Sequence, residues 1–343
     1  MGASFNDLNN SNIEYSSIFY IFNKITHLSY LKELNINFNN IKRLELNYNL
    51  QEESNNYSSK EKILILNSFK NLERLILKGN KNIIKILENV DLTELKTLNL
   101  SFNFISDIKV LQTVKFNKLK ILNLYRNEIS DISFLENVNF EELKELDLSY
   151  NKISDIKTLE KVKFKYLKNL SLKGNEISKI EILENISFNG LKVIDLSYNK
   201  ISDIKIYTKV NIDQLENFEK IYLQHNKISN ILISENINFS KLKELDLSFN
   251  EISDIKALKK AKFNKLEILN FQSNKISNIE NIAKIEHLKK LKQLNFSFNL
   301  ISNIDILVKV KFDKLEILYL DNNPIGICRN FDIINNLKYM VYI

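Results

Sequence analysis

Along most of this chain the apolar positions recur in one fixed order, and residues 143–165, LKELDLSYNKISDIKTLEKVKFK, show it well. Leu146 and Leu148 alternate with Glu145, Asp147 and Ser149, the period of two that predicts a short strand with one buried face. Asn151 stands where that strand ends, and an inward amide there would satisfy backbone groups of the turning chain. Ile153 and Ile156 return to the core around Ser154-Asp155, residue types whose oxygens accept from the free amides of a starting helical turn. Leu159, Val162 and Phe164 then predict a loose helical or 3-10 segment leading back.

The unit restarts at a nearly constant interval. Its asparagines are Asn80, Asn103, Asn127, Asn151, Asn175, Asn199, Asn226, Asn250, Asn274, Asn299 and Asn323, most of them 24 residues apart, with one step of 27. A phenylalanine follows 13 residues later at Phe116, Phe140, Phe164, Phe188, Phe239, Phe263 and Phe312, with Ile212 replacing it once, and reads as a buried spine. Self-similarity at this period means stacked coils, each unable to bury its apolar face alone. Strands stack about 4.8 Å apart and the return segments need more room, so the strands line the inner, concave wall. Aligned asparagines would form a ladder.

Leu-x-x-Leu-x-Leu-x-x-Asn-x-Ile, carried with Ile, Phe or Val variants from Leu72 to Asn323, resembles the leucine-rich repeat consensus. The added Ile-Ser-Asp-Ile resembles the SDS22-like and internalin-type subclass, here two residues longer than its usual unit because of a Val-x-Phe ending. The resemblance implies an α/β repeat fold: a curved leucine-rich-repeat solenoid of about twelve repeats, with a parallel sheet on the concave face, short helical segments on the convex face, and protein recognition on the sheet. Residues 31–323 would form the solenoid, with an N-terminal cap over 1–30 and a C-terminal cap over 324–343 that holds Cys328, read as a small buried apolar residue. Between Asn39 and Asn80 the period breaks. Either Leu31 or Ile41 begins the first strand, and a loop insertion is expected at about 45–62.

Charge changes this picture little. The 49 cations and 42 anions leave a net +7, only four of the cations are arginine, and lysines interleaved with acids normally solvate a surface, so no nucleic acid is expected as partner. A single cysteine asks for no oxidising compartment. No stretch is long and apolar enough for a membrane span, and residues 1–17 lack the basic start of a secretory leader, so a cytoplasmic monomer is expected.

Alternate copies differ. Those ending at Asn103, Asn151, Asn199, Asn250 and Asn299 read S-F-N or S-Y-N, while their neighbours read Y-R-N, K-G-N, Q-H-N, Q-S-N and D-N-N, which suggests a duplicated unit of about 48 residues. Phe102, Tyr150, Tyr198, Phe249 and Phe298 would then form an aromatic row along one rim of the concave wall, beside Asp147, Asp195 and Asp246 in one outward strand position. Tyr125, Tyr222 and Tyr319 add to this candidate protein-binding surface. The row is either such a surface or the residue of duplication history, its rings merely covering neighbouring turns. Asp107, Asp131 and Asp155 also align, and a lysine often follows two residues on, as at Lys109, Lys157, Lys205 and Lys256, which favours capping over a calcium ladder.

Catalysis finds no footing. His27, His225 and His287 lack partners at a useful spacing, and phosphate loops, C-x-x-C and H-E-x-x-H are missing. No cofactor or metal is expected, and His225 reads as a variable rim residue. Three functions remain: an intracellular, non-enzymatic protein-interaction scaffold; a secreted or surface-displayed adhesin or effector of the internalin type; or, were the chain a fragment, the recognition arm of a ligase or other multidomain enzyme.

Overall fold

In the computed structural model the described residues are 43–47, 71–78, 87, 90–180, 188, 190–206, 217–233, 237–285, 288–310, 312–326 and 340–342. Thirteen strands form one all-parallel sheet whose neighbours follow chain order. Its rungs run from Arg43–Asn47 and Arg74–Lys78 through three-residue strands such as Thr97–Asn99, Glu145–Asp147, Val193–Asp195 and Glu244–Asp246 to Ile317–Tyr319 and Met340–Tyr342. Register is strict: Leu98 pairs with Leu122, Leu122 with Leu146, Leu146 with Leu170 and Leu170 with Ile194. The chain is a leucine-rich-repeat solenoid with the sheet on its concave wall.

Arg43–Asn47 forms the rung before the Leu72 copy, while Leu31 lies outside the described residues. Leu44 pairs with Leu75 and Leu46 with Leu77, so the copy beginning at Ile41 lies next to the Leu72 copy. Residues 45–47 are therefore strand, which moves the start of the expected 45–62 loop; the rest of that loop, the 1–30 cap and Cys328 lie outside the described residues.

The asparagine ladder holds the coils together. Asn151 Nδ2 donates to Leu148 O of its own coil at 2.9 Å and to Leu124 O of the preceding one at 3.0 Å, while its Oδ1 accepts from Ile129 N at 3.0 Å. The same three bonds recur at Asn175, Asn199, Asn226, Asn250, Asn274 and Asn299. Two adjacent side chains, Asn151 and Asn175, thus satisfy three carbonyls and two amides that the turns would leave buried and unpaired, with Leu148 O shared between them. Behind them Phe164 stacks on Phe188 with ring centroids 6.0 Å apart, and Phe239 on Phe263 at 5.7 Å.

The return segments are 3-10 turns such as Lys109–Gln112, Ser133–Asn137, Lys157–Glu160 and Lys256–Lys260. Asp107, Asp131, Asp155 and Asp254 each accept from the amide two residues on, at 2.7 to 2.9 Å, so these carboxylates close the bend that leads into the 3-10 turn. Two coils differ. Asp203–Ile206 pairs in parallel with Asn230–Ile233 where a 3-10 turn was expected, and the isoleucines crowding both segments favour extended backbone. No helix among the described residues is long and apolar enough to cross a membrane.

Candidate functional site

Each rung presents two outward strand positions to the concave side, then a slot one residue past the inward leucine, then the residue before the ladder asparagine. That last residue has left-handed backbone in every described coil from Phe102 to Asn322, with φ between 52° and 66°. Gly174, Asn322 and Ser273 adopt it in some coils, yet Phe102, Tyr150, Tyr198, Phe249 and Phe298 hold it in others, although bulky side chains disfavour it by about 1–3 kcal/mol each. The turn itself therefore does not require rings.

The rings do not stand apart as isolated rungs. His225 lies between Tyr198 and Phe249, stacked on both with centroids 4.1 and 4.2 Å away. Arg126 sits 5.5 to 5.6 Å from the ring centres of Phe102, Tyr125 and Tyr150, and Tyr125 meets Phe102 and Tyr150 edge-on. Lys173 Nζ reaches the Tyr198 and Tyr150 rings at 5.0 and 6.0 Å. A Cβ on Gly174 would lie 2.7 Å from the Tyr150 ring, so this glycine is also needed for space. Cations, an imidazole and a glycine thus fill the gaps in this strip of rings from Phe102 to Phe249, while Ser273 holds the turn between Phe249 and Phe298. Phe102, Tyr198, Phe249 and Phe298 still expose 40 to 49% of their surface, while Tyr150 is half-buried.

This packing gives the alternation of copies a physical reason. Where the turn carries a ring, the slot before it is a buried serine: Ser101, Ser149, Ser197, Ser248 or Ser297. In the sister coils, whose turn residue is Arg126, Gly174, His225, Ser273 or Asn322, that slot holds Tyr125, Lys173, Gln224, Gln272 or Asp321. Large and small groups therefore interdigitate between neighbouring rungs. Just beyond the strip, charge alternates too, and Lys152 bonds Glu128 at 2.9 Å, Lys200 bonds Glu176 at 2.8 Å, and Lys275 bonds Glu251 at 2.7 Å.

The aspartates fall together as the sequence suggests. Asp147, Ser171, Asp195, Tyr222, Asp246, Asn270, Asn295 and Tyr319 form one ladder column by strand register. Their chemistry is local, however: Asp195 Oδ1 accepts from Ser197 N at 2.9 Å and Ser197 Oγ at 2.6 Å, and Asp246 does the same with Ser248. Asn99, Asn123, Asn270 and Asn295 accept the equivalent amide, so the position first closes the end of the strand. Asparagine at those places was the signal that sequence reading passed over. Tyr222 donates to Glu244 at 3.0 Å, and Tyr319 stacks on Tyr342 of the last rung at 4.9 Å.

Sequence reading also missed the residue just before each strand. Lys96, Lys120, Lys144, Lys168 and Lys192 occupy it in five successive coils, each backbone amide bonding the carbonyl of the previous one at 2.8 Å from Lys120 onward. Glu219, Lys243, Glu267, Lys292 and Glu316 continue the column. Lys192 and Lys243 both bond Glu219, at 2.6 and 2.8 Å, and hold its carboxyl down at about 2. Partial burial between two rings pushes the His225 imidazole below its ordinary value. Among the described residues no group of three or more His, Cys, Asp or Glu side chains could hold a metal ion.

The family of leucine-rich repeats in two copies matches residues 93–137, 141–185 and 240–284. No curated protein matches the sequence. An internalin, InlF of Listeria monocytogenes, is similar in structure with a TM-score of 0.56 and 26% identity, covering 85% of this chain and 91% of that one. The leucine-rich repeat domain of APL1B has a TM-score of 0.53 at 18% identity, over 92% of this chain and 74% of its own. A chain of the LRIM1/APL1C complex has a TM-score of 0.52 at 22% identity, over 76% of this chain and 50% of its own. With its parallel ladder, asparagine column and three matched repeat segments, this chain has the leucine-rich-repeat solenoid fold and is similar to leucine-rich repeat proteins.

Proposed function

We propose that the protein is a non-enzymatic scaffold that takes a protein partner on its concave wall, chiefly through the strip from Phe102 to Phe298. The supporting observation is the placing of five rings, four of them well exposed, at left-handed turn positions that smaller residues fill in sister coils. Backbone strain retained at repeated surface positions, together with exposed aromatics backed by cations, suits an interface. The recurring Ile-Ser-Asp-Ile favours the SDS22-like subclass, while paired residues such as Leu98 and Leu122, 24 positions apart, depart from its shorter usual unit. A cytoplasmic setting agrees with a solenoid of one cysteine.

The test immobilises the wild-type chain, a Tyr150→Ala/Tyr198→Ala/Phe249→Ala variant and a convex control, Val308→Ala, after circular dichroism shows all three folded. A partner captured from extract by wild type and by the control, and lost from the triple variant, supports the reading. Equal retention by all three sinks it. Likeness to an internalin over most of both chains favours a second reading, a surface-displayed or secreted protein. Protease treatment of intact cells making a tagged chain separates the two: protection supports the cytoplasmic scaffold, and cleavage supports the internalin-type role.

A further inference from the structure

Along the column that precedes the strands, the two halves of the wall treat charge differently. From Glu219 to Glu316 the sign alternates, and the acids are answered within the column: Glu219 by Lys192 and Lys243, Glu267 by Lys292 at 2.8 Å. From Lys96 to Lys192 there are five lysines in register and no acid. Like charges on facing rungs disfavour the sheet, and nothing in the fold demands them, since the other half avoids them at the same backbone position. Lys96 pairs with Glu73, the preceding member of the column, at 2.9 Å, Lys120 reaches Glu142 at 3.4 Å and Lys192 is taken by Glu219, but Lys144 and Lys168 make no ion pair with any described residue. On the opposite margin of the same coils, Arg126 and Lys173 lie over rings and pair with no described carboxylate.

Resting on the concave-wall reading, we infer that this lysine column is the docking strip for an acidic, extended segment of the protein partner. Five rungs about 4.8 Å apart span about 19 Å, the length of roughly six residues of extended peptide. Side chains on one face of such a peptide recur every ~6.6 Å, so about three carboxylates would lie along the lysines. The other face stays free to carry neutral or apolar groups toward Tyr125 and Tyr150. A peptide suits this wall better than a phosphodiester chain. Glu145 and Asp147 stand on the strand beside Lys144, where a continuous run of phosphates would meet them, whereas a peptide can place its acids over the lysines alone. Arginine, which grips phosphate with a fork of donors, appears among these unpaired cations only as Arg126.

The test uses the full chain and three fluorescein-labelled probes, followed by anisotropy: a Glu-Ser alternating peptide of roughly eight residues, the matching Lys-Ser peptide, and an oligo-uridine of similar charge. The acidic peptide is expected to bind saturably, weaken as salt rises from about 0.05 to about 0.3 M, and lose about tenfold in affinity with Lys144→Glu/Lys168→Glu. A control of equal charge change on the return segments, Lys163→Glu/Lys260→Glu, should leave it within about twofold. Lys144→Gln/Lys168→Gln, which adds no repulsion, should fall between. The inference is overturned by no saturable binding up to about 1 mM, by equal loss in the control, or by tighter binding of the oligo-uridine. It separates from the scaffold reading through the captured partner: loss with the aromatic triple variant but not with either lysine double variant leaves the scaffold standing and removes the acidic docking strip.

Discussion

The coils ending at Asn103 to Asn199 and those ending at Asn226 to Asn323 share a backbone and differ in how they spend charge. Both carry the asparagine ladder, the left-handed turn and rings in that turn. Yet the position before the strand reads five lysines in the first half and Glu, Lys, Glu, Lys, Glu in the second. A position whose sign is free to alternate is not dictated by the fold. The half that pairs its charges internally spends them on itself, and the half in which Lys144 and Lys168 have no ion pair among the described residues has charge available for a partner. Several substitutions break or sharpen that contrast.

The largest effect should be indifferent to it. Asn151→Ala and Asn250→Ala each remove two donated bonds and one accepted bond from buried backbone groups. Leaving those groups without partners should cost about 2–4 kcal/mol in either half. Urea midpoints of the two variants should agree within about 1 kcal/mol. A much larger difference would mean that the halves differ in backbone stability, and the argument from charge alone would fail.

Gly174→Ala comes next and belongs to the first half only. At φ +66° an added Cβ is strained, and it would lie 2.7 Å from the Tyr150 ring. The expected cost is about 1–3 kcal/mol. The double variant Gly174→Ala/Tyr150→Ala should recover part of it, because the strain remains but the collision does not. A double variant that merely adds the two losses would show that the ring does not depend on the glycine.

Most of the architecture could be read from the sequence because it rests on patterns that repeat with little variation. Leucines at the period of a strand, an asparagine at a fixed offset and Asp107, Asp131 and Asp155 before helical turns each have one dominant physical use, and the structure puts them to that use. The aromatic row was legible as a row. Its left-handed backbone was not, although Gly174 and Asn322 at the same place were the clue, since both residue types tolerate positive φ. Reading the aspartates as interface charges overlooked Asn99 and Asn270 doing the same local work. The lysine column was hidden by total charge: 49 cations against 42 anions look mixed until the residues are written rung by rung.

Acid should find the second half first. Two lysines hold the Glu219 carboxyl at about 2, below its usual 4.5. The folded value is the lower one, so its contribution is present in full above about 4.5 and is lost as pH falls toward 2. Because the group remains partly in solvent, about 1 kcal/mol is a fair size for this double ion pair. Glu219→Gln should flatten that part of the curve of stability against pH, as followed by thermal melts. The same slope persisting in the variant would assign it to other carboxylates.

The smallest effect tests the contrast most directly. Lys168→Glu places an acid between Lys144 and Lys192, copying into the first half the alternation that the second half has at Glu219 and Glu267. If the lysine column costs the fold anything, this substitution should stabilise it, by about 0.2–1 kcal/mol, and the gain should shrink as salt rises. The same change should weaken the acidic Glu-Ser probe. A variant that is both more stable and a poorer binder of acidic peptide is what a surface selected for a partner should give, since the unpaired charge disfavours folding and favours docking. Destabilisation by Lys168→Glu would instead show that the lysines already have neutralising partners within the chain, and the difference between the halves would lose its functional meaning.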